Sequence, residues 1–276
     1  MLKMKKSHRI ILYIITAFVV MVTLLPIWYL LLIAIKPQSI LFETPPRLIF
    51  QPTTEAFQRV LSEGKIGLSL INSLIVSLAA TLIAVFLGAL AAFCLTLLKM
   101  RSKKFLYFVI LITRMYPPIT TLIPIYMIMR RIGLIDTYFA LIIPYAGTQL
   151  ALATMIMMSY YKDIPASIFE SANMDGCSPF RLFFRFGIPL SVTGLMASAI
   201  LIFVLNWNEF LFAMALTSTK IRTVTVALTS FLQQEGVVQW SYLAAMGIIM
   251  IVPIILFVFA LKKYMISGLT AGASKE

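Results

Sequence analysis

Histidine is nearly missing from this sequence: His8 alone, beside the basic start, leaves no material for a histidine-built metal site or a Ser-His-Asp triad. Cysteine is almost as scarce. Cys94 inside an apolar run and Cys177 in a polar stretch offer neither a disulfide framework nor a metal-ligand cluster, and they read as small packing residues. Carboxylates are few, ten against 23 Lys and Arg, and only Glu209 falls within a long apolar run. Without a cluster of His, Cys, Asp or Glu near a membrane surface, the acid, base or metal site of a membrane enzyme has nothing to be built from. The G-x-x-x-x-G-K-[ST] phosphate loop is absent as well, so this chain cannot hydrolyse ATP alone.

What the sequence does have is apolar surface. Of its 276 residues 61% are hydrophobic and only 12% charged, more apolar surface than a soluble domain of that size can bury. The chain therefore belongs in a lipid bilayer. A net charge of +13 would suggest nucleic acid in a soluble protein, but here the Lys and Arg sit at the ends of apolar runs, the pattern that sets membrane orientation. No nucleic-acid role is read from them.

The apolar runs lie at 10–35, 69–98, 105–129, 138–158, 191–216 and 241–261, each reaching the roughly 20 residues that a bilayer core requires. The first is too long for a secretory signal, whose core is about 7–15 residues, and is read as a retained span with a kink at Pro26. A backbone crossing hydrocarbon must satisfy its own hydrogen bonds, and strand periodicity is absent. The predicted fold is all-α: a polytopic membrane protein forming a single transmembrane domain over 1–276, with six transmembrane helices.

An even number of spans puts both termini on one side. With the N-terminus in the cytoplasm, Lys3, Lys5, Lys6, Arg9, Lys99, Arg101, Lys103, Lys104, Lys162, Arg181, Arg185, Lys262, Lys263 and Lys275 lie inside. Lys36, Arg47, Arg59, Lys65, Arg130, Arg131, Lys220 and Arg222 lie outside, and the positive-inside rule favours this arrangement. The segment 36–68, with Pro37, Pro45, Pro46 and Pro52, then becomes a structured external loop, and 159–190 a cytoplasmic one.

The cytoplasmic loop has an internal design. Pro165 suits the first turn of a helix running to about Met174, Gly176 supplies the left-handed residue that ends it, and Ser178-Pro179 caps and starts a second helix. Ile168, Phe169 and Ala172 form an apolar stripe on the first helix, and Phe180, Phe183 and Phe184 on the second. Amphipathicity alone leaves two readings open, a pair lying in the headgroup region or a pair docked on a partner.

Glu170, Ala172, Asp175, Gly176, Ser178, Phe183, Arg185, Ile188, Pro189 and Leu190 resemble the Glu-Ala-Ala loop of ABC importer permeases, with Ser171 where that family has alanine. Asn72-Ser73-Leu74, Gly133-Leu134-Ile135-Asp136-Thr137, Trp207-Asn208-Glu209-Phe210 and Gly268-Leu269-Thr270-Ala271-Gly272-Ala273 extend the likeness over nearly the whole chain, to the shorter permease of maltose-type carbohydrate importers. The resemblance implies a coupling helix pair seated in an ATPase cleft, carried by Phe169, Glu170, Ser171, Ala172, Met174, Asp175, Gly176, Ser178, Phe183 and Pro189. It also implies a second permease subunit, an ATP-binding cassette dimer holding ATP and magnesium, and an extracytoplasmic solute-binding protein, assembled in a bacterial or archaeal plasma membrane. In such relatives the C-terminal tail, here 267–276, reaches the ATPase interface; read from composition alone it is a frayed end. The rival reading, a six-span secondary carrier or channel, would need its own ion-coupling residues or inverted repeats, and neither is detected.

Polar residues inside the spans mark a second candidate region. Arg114 is a costly charge at that depth and should face the bundle interior, a carboxylate or a wet cavity, with Glu209 as one possible partner. Pro117, Pro118 and Pro124 break helix locally, while Tyr116, Gln149, Asn206 and Asn208 add polar wall to a solute pathway. A purely structural role for the same residues stays open. Ala84, Gly88 and Ala92, at small-xxx-small spacing, predict close helix contact.

Overall fold

The computed structural model describes residues 6–47, 49–62, 66–98, 100–233 and 238–273, and every regular element among them is helical. Of the basic residues used for orientation, Lys3, Lys5, Lys65, Lys99 and Lys275 lie outside the described residues. A long apolar α1 (Lys6–Ile35) leads through a 3-10 turn (Gln38–Ile40) to the short α2 (Glu55–Ser62) and then α3 (Ile66–Leu97). Next come α4 (Lys103–Met115), α5 (Pro118–Arg131) and α6 (Tyr138–Lys162). The polar stretch that follows holds α7 (Ala166–Met174), α8 (Pro179–Leu182), a π-helical turn (Phe183–Gly187) and α9 (Ile188–Leu190), before α10 (Val192–Trp207). The last elements are α11 (Leu211–Leu216), α12 (Val224–Gln233) and α13 (Trp240–Ala273).

Among the described residues four helices are long and apolar enough to cross a membrane, or up to six spans if each of two bent pairs counts as one. The second bend, of 76°, joins Pro179–Leu190 to Val192–Trp207; the first bend and a separate helix break correct two predicted spans. The span predicted at 105–129 is α4 and α5 meeting at 96°. Tyr116 is extended (ψ 130°) because the following proline disfavours helical backbone, and Pro118, whose missing N–H is harmless at a helix start, begins α5. The span predicted at 191–216 is interrupted between Trp207 and Leu211, where Phe210 leaves helical backbone (φ −124°). Elsewhere helices overrun their hydropathy limits: α6 continues to Lys162, and α13 to Ala273 where a frayed tail was one reading. Hydropathy marks the stretch suited to lipid, whereas helical hydrogen bonds continue into water. Pro26 sits within the unbroken α1.

The chain divides into two compact units, residues 1–66 with 228–252, and residues 67–227 with 253–276. In the first, the most apolar stretch of α1 has none of its residues buried, so that surface suits lipid or another chain. The predicted external loop folds on itself and onto the start of α13. Thr53 N–H donates to the Ile35 carbonyl (2.9 Å), Ser241 N–H and Oγ donate to Gln38 Oε1 (3.2 and 3.0 Å), and Arg59 donates to the Tyr242 hydroxyl (2.9 Å) while its guanidinium covers the ring.

In the second unit α3 and α6 run parallel. Tyr138 Oη donates to Asn72 Oδ1 (2.7 Å) near their starts, Phe93 meets Tyr161 (5.8 Å between ring centroids) near their ends, and Gly88 faces Ala153 between. Ala84 and Ala92 are fully buried, as the small-xxx-small spacing predicts. The register places α4's Lys103, whose ammonium donates to the Thr96 carbonyl (3.1 Å), at the same end as Lys162 and as α7 and α8, so these basic groups share one face.

The opposite end is tied by Asp136, a non-glycine residue at φ 61°. Its carboxylate accepts the N–H groups of Ser218, Thr219, Lys220 and Ile221 and the Ser218 hydroxyl, at 2.8–3.3 Å. Asn72 Nδ2 donates to the Arg222 carbonyl (3.1 Å) and Val224 N–H to Ser73 Oγ (2.8 Å), so residues 218–224 form a strap pinned to α3 and the start of α6. Burial pushes the Asp136 carboxyl pKa up, but the donors led by Ser218 outweigh it and hold the group well below the usual carboxylate range.

Two predictions follow from this packing. A Cβ on Gly88 would overlap that of Ala153 and come within 3.0 Å of the α6 backbone. Gly88→Ala should lower unfolding stability by about 1–3 kcal/mol, with Ala153→Gly in the same chain restoring part of it, read by thermal unfolding in detergent. Asp136 has a depressed folded-state pKa, so its contribution is present above the unfolded value and lost as pH falls below about 4. Asp136→Asn should cost about 1.5–3 kcal/mol at pH 7 and flatten that acid limb of the stability profile.

Candidate functional site

The helix pair α7–α8 is held by its turn. Gly176 adopts φ 75°, Gly176 N–H donates to the Asn173 carbonyl (3.0 Å), and Cys177 N–H to the Ala172 carbonyl (3.1 Å). This double closure is the Schellman motif, which needs a left-handed residue just past the helix and favours glycine there. Ser178 Oγ then accepts from Arg181 N–H (3.4 Å) with Pro179 at the first helical position, as its sequence predicts. Pro165 precedes α7 rather than lying within it.

The underside of the pair is apolar and seated on α3 and α6. Phe169, Ala172, Leu182 and Phe183 are buried against Ala89, Ala92, Phe93, Met157 and Tyr161. The Phe93 ring stands 6.0 Å from Phe169 and 5.3 Å from Phe183, edge to face in both cases. The predicted stripe of Phe180, Phe183 and Phe184 is not the buried one. The π-helical turn alters the spacing, so Leu182, Phe183 and Gly187 face inward while the Phe180 and Phe184 rings meet at a tilt (4.7 Å between centroids) outside.

Among the residues predicted for coupling, Phe169, Ala172 and Phe183 thus form the seat. Glu170, Ser171, Met174, Asp175, Gly176, Ser178 and Pro189 are exposed, Met174 by 87%. Beside them Phe180, Arg181, Phe184 and Arg185 line a surface groove with Ser178. The upper face joins apolar side chains to charges of both signs, a composition suited to a protein surface rather than to lipid.

A second region lies at mid-height of α6. A cavity of about 650 Å³ is walled by Thr113 and Arg114 of α4, Tyr116 at the bend, Thr121 and Ile125 of α5, Pro144, Thr148 and Gln149 of α6, and Glu209 and Phe212 beside the second break. Gln149 lies about 17 Å from the start of α6 and about 20 Å from its end. Arg114, Tyr116, Gln149 and Glu209, four of the residues named for a solute pathway, are brought together around it. Arg114 sits in the last turn of α4, where exposed carbonyls favour a cation.

Glu209 does not pair with Arg114. Its carboxylate accepts from Phe212 N–H (2.9 Å) and Ala213 N–H (3.2 Å), capping α11, and among the described residues no ion pair joins it to Arg114. Asn206 and Asn208 are not among the lining residues. Asn206 is buried and donates to Thr81 Oγ1 (3.2 Å), whereas Asn208 donates to the Val204 carbonyl of its own helix (2.8 Å). Successive helical positions point about 100° apart, so neighbours in sequence need not share a wall. Thr113, Thr121 and Thr148 were not singled out from the sequence. The polar run Gly147-Thr148-Gln149 inside an apolar helix is the signal that could have marked the last of them.

Comparison with known proteins adds independent information. The profile of the family described as binding-protein-dependent transport system inner membrane component matches residues 84–270. The chain is 36% identical over 257 residues to the trehalose transport system permease protein SugB of Mycobacterium tuberculosis, covering 91% of this chain and 92% of that one. It is 29% identical over 270 residues to the trehalose/maltose transport system permease protein MalG of Thermococcus litoralis, covering 97% of both. Its fold matches a chain in the crystal structure of a bacterial ABC transporter involved in the import of the acidic polysaccharide alginate, with TM-score 0.76, 22% identity, and coverage of 95% of this chain and 98% of that chain.

Removing the Phe93 ring tests the seat beneath the helix pair. Phe93→Ala should destabilise the protein by about 3–5 kcal/mol, with limited proteolysis accelerating first within residues 159–190.

Proposed function

Because the chain belongs to the family of binding-protein-dependent transport system inner membrane components, we propose that it is one of two permeases in a bacterial or archaeal plasma-membrane importer driven by ATP. The solute is a sugar or related compound, in keeping with relatives named for trehalose and maltose transport. Counting each bent pair as one span, the chain crosses the membrane six times with both termini in the cytoplasm. The clustering of Lys103, Lys162, Arg181 and Arg185 at one end supports that orientation, since an excess of Lys and Arg marks cytoplasmic loops.

The observation that carries the reading is the α7–α8 pair: a glycine-closed turn, a buried aromatic underside fastened to two long helices, and an exposed face of Glu170, Met174, Asp175 and Arg181. In the proposed mechanism that face docks in a cleft of the partner ATPase dimer, which holds ATP and magnesium. Closure of the dimer pushes the pair as a rigid body. Because Phe169 and Phe183 are locked around Phe93, the push passes to α3 and α6, and the permeases rock between inward-open and outward-open states around solute delivered by an external binding protein. In the same mechanism the C-terminal stretch, helical through Ala273, reaches the ATPase interface as well.

Gly176→Asp tests the assignment. A Cβ and a charge at a residue held at φ 75° disfavour the turn, so the variant should insert normally yet lose solute uptake and co-purify poorly with the ATPase. Wild-type uptake by the variant, or uptake that survives ATP depletion, would instead favour a self-sufficient six-span carrier or channel.

A further inference from the structure

The mid-height cavity has an uneven inventory of hydrogen-bonding groups. Thr113, Thr121 and Thr148 line it, and each gives its hydroxyl proton to its own helix, to the carbonyls of Ile110 (2.7 Å), Pro118 (2.9 Å) and Tyr145 (3.1 Å). Their remaining lone pairs are acceptors only. Gln149 Oε1 is buried and has no hydrogen-bond partner among the described residues, so it too awaits a donor. Glu209 is an acceptor whose charge is already answered by the N–H groups at the start of α11.

The Tyr116 hydroxyl and the Gln149 amide N–H groups are neutral donors on this wall, and Arg114 differs from them in its charge. It is the cation among the lining residues, no ion pair to it exists among the described residues, and its guanidinium cannot deprotonate to relieve the charge. A solute matching the cavity must therefore bring several donors for the acceptors and one anion for Arg114. Hydroxyl groups meet the first demand and a carboxylate, sulfonate or phosphate the second. We propose that this permease contributes a solute subsite selective for acidic carbohydrates, in which Arg114 holds the anionic group and Gln149 a hydroxyl. The proposal rests on the permease reading above, and names the solute class of the cavity.

The test uses the assembled complex in lipid nanodiscs, free of nucleotide, and two probes of equal size: a uronic-acid disaccharide and the neutral hexose disaccharide of the same linkage. Equilibrium binding should favour the acidic probe by about tenfold or more in the wild type, as expected for one charge-assisted contact. Arg114→Gln should abolish that preference by weakening the acidic probe alone, Arg114→Lys should retain part of it, and Gln149→Leu should weaken both probes alike. Equal affinity for the two probes in the wild type, or an equal loss of both in Arg114→Gln, would overturn the proposal. So would dissociation of the Arg114→Gln complex, which would make Arg114 an assembly contact with the second permease. Binding is read without nucleotide and does not depend on force through α7, so failed ATPase association would count against the docking assignment and leave the selectivity result readable.

Discussion

The close approach of α3 and α6 at Gly88 and Ala153 underlies the arrangement of the larger unit. Helices that meet through small residues bring their backbones together and gain dispersion contacts, the main source of helix association where lipid is as apolar as a side chain. Because the two run parallel, one contact sets the register at both ends. It aligns Asn72 with Tyr138 at one end and Phe93 with Tyr161 at the other. The strap held by Asp136 and the seat of α7–α8 are thereby positioned about 37 Å apart, the length of α6.

Each end uses a different force. At the Asp136 end a carboxylate gathers backbone N–H groups from a loop with little apolar surface of its own, and charge-assisted hydrogen bonds order it. At the α7–α8 end the pair is fastened by aromatic packing around Phe93, which leaves its polar face free. Between them, two helix breaks gather the cavity. The α4 end carries Arg114 and the α11 start is capped by Glu209, so each charge lies where a helix dipole favours it. Both charges line the cavity, the kind of polar surrounding that a charge within an apolar segment requires.

Much of the site was legible beforehand where the controlling physics is local. The helix–turn–helix of 166–182, the left-handed Gly176 and the Ser178 cap depend on residues within one turn of each other, and all were expected from residue types. Arg114 was expected to face the bundle interior, a carboxylate or a wet cavity, and of these it meets a cavity. The buried stripe of the second helix was misread, since a π-helical turn alters the helical spacing without a distinctive sequence mark. Asp136 was noted only as part of a motif, because its donors come from residues about eighty positions away.

By itself the sequence determined the class of solvent, the all-helical backbone, where the apolar helices fall along the chain and the closed turn at Gly176, since hydropathy, hydrogen-bond satisfaction and residue-level conformational preference act over short distances. Tertiary structure alone decided which polar residues share a wall: Arg114, Gln149 and Glu209 meet around the cavity, while Asn206 turns to Thr81 and Asn208 to its own helix. Direction around a helix, and the angle at which a broken span resumes, depend on packing between segments distant in the chain, and that information is not carried by any one of them.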